Sequence, residues 1–400
     1  MPGGIRTEIH AWIVDAALAG ADEIAILAGV CERMTAAGIA LVRSSIANDL
    51  LDPTFDARGV RWVRGEGALE EHFARSGDPA VNETWTRSPF YAVVTSGETT
   101  MRRRLDATYR RGEFPMLDAF QDEGMTDYIA FVARVGKGVQ LGTSEGLVSS
   151  WATDAPGGFS EAEIALLGEI MPALTLAFTL RTTYRAARTL ISTYLGSHAA
   201  ERVLAGNIVR GRADPIRAVV WFSDLVSFTR ISDTASADDV LALLNDYAEV
   251  QVDAIEAQGG HVLKFMGDGI LAIFPDDDLA VACRHALDAA VAHRHRIEAL
   301  NARRRAEGAP VTDTHLALHV GEVLYGNLGS SRRLDFTVLG AAVNEASRME
   351  TLCGSLDQSV IVSSAFADAA GESRSELVSV GRYAMKGVSR PQELLTLDRR

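Results

Sequence analysis

Two runs decide how this chain is read: Ala218-Val-Val-Trp-Phe222, closed by Ser223-Asp-Leu-Val-Ser-Phe-Thr229, and His261-Val-Leu-Lys-Phe-Met-Gly-Asp-Gly-Ile-Leu-Ala-Ile-Phe274. The first is short, β-branched and aromatic, the composition of a buried strand. The second is two apolar runs on either side of Gly267-Asp268-Gly269, the pattern of a hairpin closed by a tight turn. A first strand beside that hairpin lets Asp224, at its end, converge on Asp268, in the turn. Neighbouring carboxylates repel unless protons or cations lie between them, and paired hard cations held by carboxylates serve phosphoryl chemistry. Spacing alone leaves a second reading open, in which Asp224 caps the strand and Asp268 is a turn residue.

Outward from this stretch, Ser236 with Asp239 caps a helix whose Val240, Leu243, Leu244, Tyr247, Val250 and Ile255 share a face, and Gly259-Gly260 ends it. After the hairpin, Asp276-Asp277-Asp278 opens a helix over about 277–301, where negative charge suits the dipole. Strands follow at His315–Tyr325 and Leu334–Leu339, then a helix over Ala341–Leu352 closed by Gly354. The order β-α-β-β-α-β is ferredoxin-like, an α+β arrangement. Later strands near Ser359–Val362, Leu377–Met385 and Glu393–Leu397 extend it.

Four hundred residues suit two domains and a connector. A net charge of −14 argues against nucleic acid, whose backbone selects basic surfaces. The three cysteines, Cys31, Cys283 and Cys353, have no ligand spacing and read as buried thiols of a reducing compartment. No signal segment opens the chain, and the apolar run Ala165–Leu180 is too short to span a bilayer, so the expectation is a cytoplasmic protein with no membrane span.

The amino-terminal half, residues 1–180, begins with helical periodicity over 5–37. Strand candidates follow at Gly38–Arg43 and Val60–Arg64, then a loop-rich stretch with helical pieces over 64–114 that includes the basic cluster Arg102-Arg103-Arg104. Tyr128–Ala133 and Gly146–Ala152 read as sheet strands, and Ser160 with Glu163 opens a helix by a capping box. This order of elements resembles a GAF-type sensor domain, α/β in class. The resemblance implies either a small-molecule effector or a dimerising role. Trp62, Trp85 and Tyr91 either line a pocket or are plain core. Residues 181–215 form a helical connector, a transmission element or a helix packed on one domain. Pro172 should kink the run before it or start a new helix.

Four motifs then carry a second resemblance. Phe222–Thr229, Lys264-Phe-Met-Gly-Asp-Gly269, Gly326-Asn-Leu-Gly-Ser-Ser-Arg-Arg-Leu-Asp-Phe-Thr-Val-Leu-Gly340 and Val343-Asn-Glu-Ala-Ser-Arg348 stand in the order of the class III nucleotidyl cyclase catalytic domain, which residues 216–400 resemble. The resemblance implies that Asp224 and Asp268, with the Leu225 carbonyl, hold two Mg²⁺ or Mn²⁺ ions. It implies that backbone amides around Val226, Phe228 and Thr229 cradle phosphates. Asn344 would orient the ribose and Arg348, four residues on along one helical face, would stabilise the α-phosphate. Lys386, in Met385-Lys386-Gly387, is similar to the family's phosphate-binding lysine of the late strands.

Base choice follows from donors and acceptors. Lys264 is donor only, so it satisfies adenine N1 and opposes the guanine N1–H. Thr337 stands where many adenylate cyclases of the family carry Asp, and its hydroxyl can accept from the adenine amine. The Glu and Cys expected of guanylate cyclases at these places are absent. The resemblance therefore implies an adenylate cyclase acting on ATP, in a homodimer whose two sites each draw residues from both subunits. A guanylate cyclase and a catalytically silent nucleotide-binding regulator are the alternatives.

Overall fold

The computed structural model describes residues 2–49, 55–74, 79–136, 146–386, 388 and 391–398. The chain divides into two compact units, Met1–Leu190 and Ile191–Arg400, and the division falls within the stretch expected as connector.

The amino-terminal unit holds helices α1 (Pro2–Leu18) and α2 (Glu23–Ala36), then strands β1 (Leu41–Asp49), β2 (Phe55–Val63) and β3 (Gly67–Ala74). Helices α3 (Pro79–Thr86) and α4 (Pro89–Ser96), strand β4 (Thr100–Arg104), helix α5 (Pro115–Asp122) and strands β5 (Asp127–Arg134) and β6 (Gly146–Thr153) follow. Helix α6 (Glu161–Leu195) closes the unit and runs into the next. The six strands form one antiparallel sheet in the order β3-β2-β1-β6-β5-β4. One hydrophobic cluster joins Ile26, Leu27 and Val30 of α2 and Leu167 and Leu174 of α6 to Trp62 and Trp151 of the sheet. Another joins Leu117 and Phe120 of α5 to Tyr128. The capping box forms: the Ser160 amide donates to Glu163 Oε2 at 2.7 Å and the Glu163 amide to Ser160 Oγ at 3.3 Å.

Several expectations need correction here. The stretch 64–114 contains strands β3 and β4. The basic cluster lies on β4, where Arg102 pairs with Asp127 and Glu161, Arg103 with Glu113, and Arg104 with Asp106. Trp62 is core, whereas Trp85 and Tyr91 are exposed and meet edge to face, so the three do not line one pocket. Helix α6 is continuous through Pro172, which stands exposed and starts no new helix. At 35 residues α6 is long and apolar enough to cross a membrane by length and composition, so shortness does not exclude it from one; half of its apolar window is buried inside the protein.

The carboxy-terminal unit continues with α7 (Ser197–Leu204), β7 (Ala213–Leu225), α8 (Phe228–Thr234), α9 (Ala237–Glu256), β8 (His261–Met266) and β9 (Gly269–Pro275). Then come α10 (Leu279–Ala306), β10 (Thr314–Gly329), β11 (Leu334–Leu339), α11 (Ala341–Glu350), α12 (Cys353–Leu356), β12 (Val360–Ser363), α13 (Ser364–Ala369), β13 (Leu377–Tyr383) and β14 (Gln392–Leu397). The sheet order is β13-β14-β12-β10-β7-β9-β8, with β11 paired to β10. Its β10-β7-β9-β8 portion is the expected ferredoxin-like core, mixed α+β. Val219, Trp221 and Leu225 of β7 face the α9 and α10 side, where Ile255, Cys283, Ala286 and Leu300 lie. Successive strand residues alternate faces, so Phe222 and Asp224 look the other way, onto the α11 side.

Candidate active site

Two strand ends and a turn build the carboxylate pair. Strands β7 and β9 are neighbours, with Ser223 opposite Ile270, so the two-residue turn Gly267-Asp268 comes level with Asp224. Gly267 takes φ +71°, the left-handed conformation glycine adopts at no steric cost. Gly269 makes the close approach: a Cβ there would lie 2.8 Å from the Ser223 carbonyl oxygen and 3.3 Å from Asp224 Oδ1. Burial first, then the neighbouring Asp268 carboxyl and, more distantly, Glu350 push Asp224 up to about 7. Asp224 Oδ1 also accepts from the Leu225 amide at 3.1 Å and Asp268 stands in the turn, the features of the alternative reading, but the two carboxyls are adjacent as well.

Two further groups stand near Asp224. His315 is its cross-strand partner on β10, and His315 Nδ1 lies 3.6 Å from Glu350 Oε1 on α11. Among the described residues no group of three or more His, Cys, Asp and Glu side chains could hold a metal ion. A divalent ion here would therefore draw on the two carboxylates and complete its shell with carbonyl, substrate or water oxygens.

Beyond Leu225 the chain turns into α8 through Ser227, which takes φ +55° with no side-chain cap. The expected phosphate cradle is narrower than the sequence suggests. The Val226 amide donates to the Asp313 carbonyl at 2.9 Å and is already committed. The Phe228 side chain packs with the cluster of Leu225, Leu243 and Tyr247, and Thr229 is exposed at the start of the helix.

Lys264 projects from β8 beside a register shift between Val262 and Lys264, and its ammonium pairs with the Asp335 carboxylate on β11. Thr337, two residues along β11 and on the same face, is buried opposite Gly326. Phe336 and Val338 point into the core on the other face. Asn344 and Arg348 lie one turn apart on α11, Asn344 exposed and Arg348 half-buried. Lys386 is exposed in the turn after β13, and its neighbour Met385 packs with Ala317 of β10 and Met349 of α11. Its neighbour Gly387 lies outside the described residues.

Sequence reasoning missed Asp335, Glu350 and His315. Asp335 was the findable one, because strand alternation puts it on the face of Thr337. The pairing of His315 with Asp224 required the β7–β10 register.

Residues 213–397 match the family of adenylate and guanylate cyclase catalytic domains. The carboxy-terminal unit is thus a class III nucleotidyl cyclase catalytic domain. The chain is 35% identical over 150 residues to an adenylate cyclase of Anabaena cylindrica, covering 36% of this chain and 29% of that protein. It is 30% identical over 185 residues to the terminal-differentiation specific adenylate cyclase of Dictyostelium discoideum, covering 46% and 9%. The chain thus spans less than a third of the length of these relatives. The solved adenylyl cyclase CyaB of P. aeruginosa is 26% identical, with 47% of this chain and 97% of that one covered and a TM-score of 0.43.

Proposed function

We propose that the protein is an adenylate cyclase, converting ATP to 3′,5′-cyclic AMP and pyrophosphate under control of its amino-terminal unit. The observation that carries the reading is the convergence of Asp224 and Asp268 within a cyclase catalytic domain. That pair of hard, imperfectly neutralised oxygen donors suits Mg²⁺ or Mn²⁺. Asp224, Asp268 and the Leu225 carbonyl would hold two such ions, which when bound acidify the ribose 3′-hydroxyl and neutralise the departing pyrophosphate. Lys264 donates to adenine N1 and the Thr337 hydroxyl accepts from the 6-amino group. Asn344 orients the ribose so that the 3′-oxygen lies in line with the α-phosphorus, and Arg348 donates to the α-phosphate oxygens as charge builds there. The free amides around Phe228 and Thr229, with Lys386 reaching from the late strands, hold the outer phosphates.

The sites are shared between two copies of the chain. The side chains of Asn344 and Arg348 have no hydrogen bond or ion pair among the described residues, and Phe265, Leu324, Leu328, Leu334 and Leu339 expose an apolar surface on β8, β10 and β11. A second copy would cover that surface and bring α11 to its partner's carboxylates. The antiparallel sheet flanked by helices fits a GAF-type sensor that takes a small-molecule effector. Free, buried Cys31, Cys283 and Cys353 suit a cytoplasmic setting.

The test is product analysis by mass after incubating the purified protein with ATP or GTP and Mn²⁺. Cyclic AMP from ATP is expected. Cyclic GMP alone would move the assignment to a guanylate cyclase, and no product from either would leave a silent regulator. For the shared sites, inactive Asp224→Ala and inactive Asn344→Ala proteins are mixed; recovered activity is expected, and none would refute composite sites.

A further inference from the structure

Helix α11 carries Asn344 and Arg348, and its rotation is set on its opposite side, against β10. His315 and His319 are four apart on β10 and share a face. His315 Nδ1 lies 3.6 Å from Glu350 Oε1, and His319 Nε2 lies 3.8 Å from Glu345 Oε2, so two His–Glu contacts run along the helix. Gly321, next on the same face, completes the seat: a Cβ there would lie 2.5 Å from Ala342 Cβ and 3.2 Å from His319 Nε2. His319 is 6% exposed, and its Nδ1 is buried with no hydrogen-bond partner. A buried polar atom left unpaired weakens the fold, and an aliphatic side chain between Leu318 and Val320 would pack without that cost. Packing therefore does not explain the imidazole. Glu345, its partner, adjoins Asn344 and lies three residues before Arg348.

We infer that His319, through Glu345, is a positioning residue that fixes the rotation of α11 and so aims Asn344 and Arg348 at the substrate. The inference rests on the adenylate cyclase reading with shared sites. His319 itself touches no substrate. Burial holds it down at about 4, so the ring is neutral, and at 3.8 Å its contact with Glu345 is polar packing that needs the shape and an oxygen of the partner rather than a negative charge.

The test uses the full-length chain with His319→Leu, Glu345→Ala and Glu345→Gln. A small misplacement of groups acting in the transition state lowers kcat about tenfold to a hundredfold. That loss is expected in His319→Leu and Glu345→Ala, with KM for ATP changed by less than about threefold. Glu345→Gln, which keeps the shape and a polar oxygen against His319, should stay within about threefold of wild type in both constants. Glu345 is partly exposed, so its variants keep the question open to test should His319→Leu fail to fold, as thermal unfolding will show. Subunit mixing then asks which half-site is damaged. Glu345→Ala mixed with Asp224→Ala should regain activity, because the active composite site takes its α11 from the Asp224→Ala chain. Glu345→Ala mixed with Asn344→Ala should stay slow. Equal recovery in both mixtures, recovery only in the second, or a Glu345→Gln variant as slow as Glu345→Ala overturns the inference. If the control mixture of Asp224→Ala with Asn344→Ala recovers nothing, the shared-site reading fails instead, and the kinetics of Glu345→Gln against Glu345→Ala still decide the role of His319.

Discussion

Acid should unfold the catalytic unit through a histidine that takes no part in catalysis. His293 lies on α10 at 2% exposure, with its ring edge-on to Trp221 at 5.7 Å and its Nε2 3.3 Å from Thr314 Oγ1. Burial pushes it down to about 4 from an ordinary 6.5. Between those values the unfolded chain binds a proton that the folded chain refuses. The neutral ring's contribution is therefore complete above about pH 6.5 and is lost as pH falls towards 4. The whole gap corresponds to about 3.4 kcal/mol, of which about 2 kcal/mol is gone at pH 5. In a unit of this size 1 kcal/mol moves the Tm by about 2–4 °C. Wild type should thus lose about 4–8 °C between pH 7.5 and pH 5 that a His293→Leu variant does not lose. His261 and His319, also pushed down to about 4, titrate in both proteins and cancel in the difference. Differential scanning calorimetry of both proteins across that range measures it. Parallel Tm curves would refute the reasoning, whatever the absolute stability of the variant.

Asp335→Asn removes the carboxylate that holds Lys264, a half-exposed pair, so KM for ATP should rise about twofold to fivefold with kcat little changed. An unaltered KM and an unaltered ratio of ATP to GTP turnover would take Asp335 out of the base site. Gly269→Ala puts a methyl against the Ser223 carbonyl and beside Asp224, which should lower kcat about a hundredfold and cost about 1–3 kcal/mol. Near-normal turnover with Mn²⁺ would show that the carboxylate pair tolerates displacement. In the amino-terminal unit, Asp127 is fully buried and accepts from Arg102 Nη2 at 2.8 Å and from the Phe159 and Tyr128 amides at 3.0 Å each. Asp127→Ala should destabilise that unit by about 2–4 kcal/mol in urea unfolding, since it leaves the buried Phe159 and Tyr128 amides without their acceptor and takes one carboxylate from Arg102, which keeps Glu161.

The catalytic half was readable because its signals are local and agree with one another. Ser236 caps α9 as expected, accepting from the Asp239 amide, and Gly267-Asp268 closes the β8–β9 hairpin. Strand β11 begins and ends at the expected residues, Leu334 and Leu339. The strands missed in the amino-terminal half, β3 and β4, are the two edges of their sheet. Edge strands are defended by charge, here Glu70 and Glu71 on β3 and Arg102 to Arg104 on β4, so the apolar alternation that marks a strand is diluted where it occurs. The pairing of Lys264 with Asp335 spans 71 residues and follows from the sheet, not from any local pattern. Val226 seemed free to bind phosphate because its tie to Asp313 is a tertiary contact too.

Strand β10 is the element that connects the distant motifs. Its first residues stand opposite Leu225 and Asp224 of β7, its middle carries His319 and Gly321 beneath α11, and its last residues pair with β11 at Thr337. One sixteen-residue strand thus underlies the end proposed to hold metal, the helix proposed for ribose and α-phosphate, and the strand proposed to read the base. The side chains proposed to read the base nevertheless come back towards the carboxylates within one chain, because Lys264 stands four residues before Asp268 and its ammonium pairs with Asp335 of β11. Support for composite sites therefore comes from α11, whose Asn344 and Arg348 side chains have no partner among the described residues, and from the exposed apolar residues Phe265, Leu324 and Leu339 beside it, not from the length of β10. Disrupting that surface, as in Phe265→Glu, should separate the copies and abolish activity together, read by sedimentation and by product formation. A monomeric variant that kept full activity would refute shared sites.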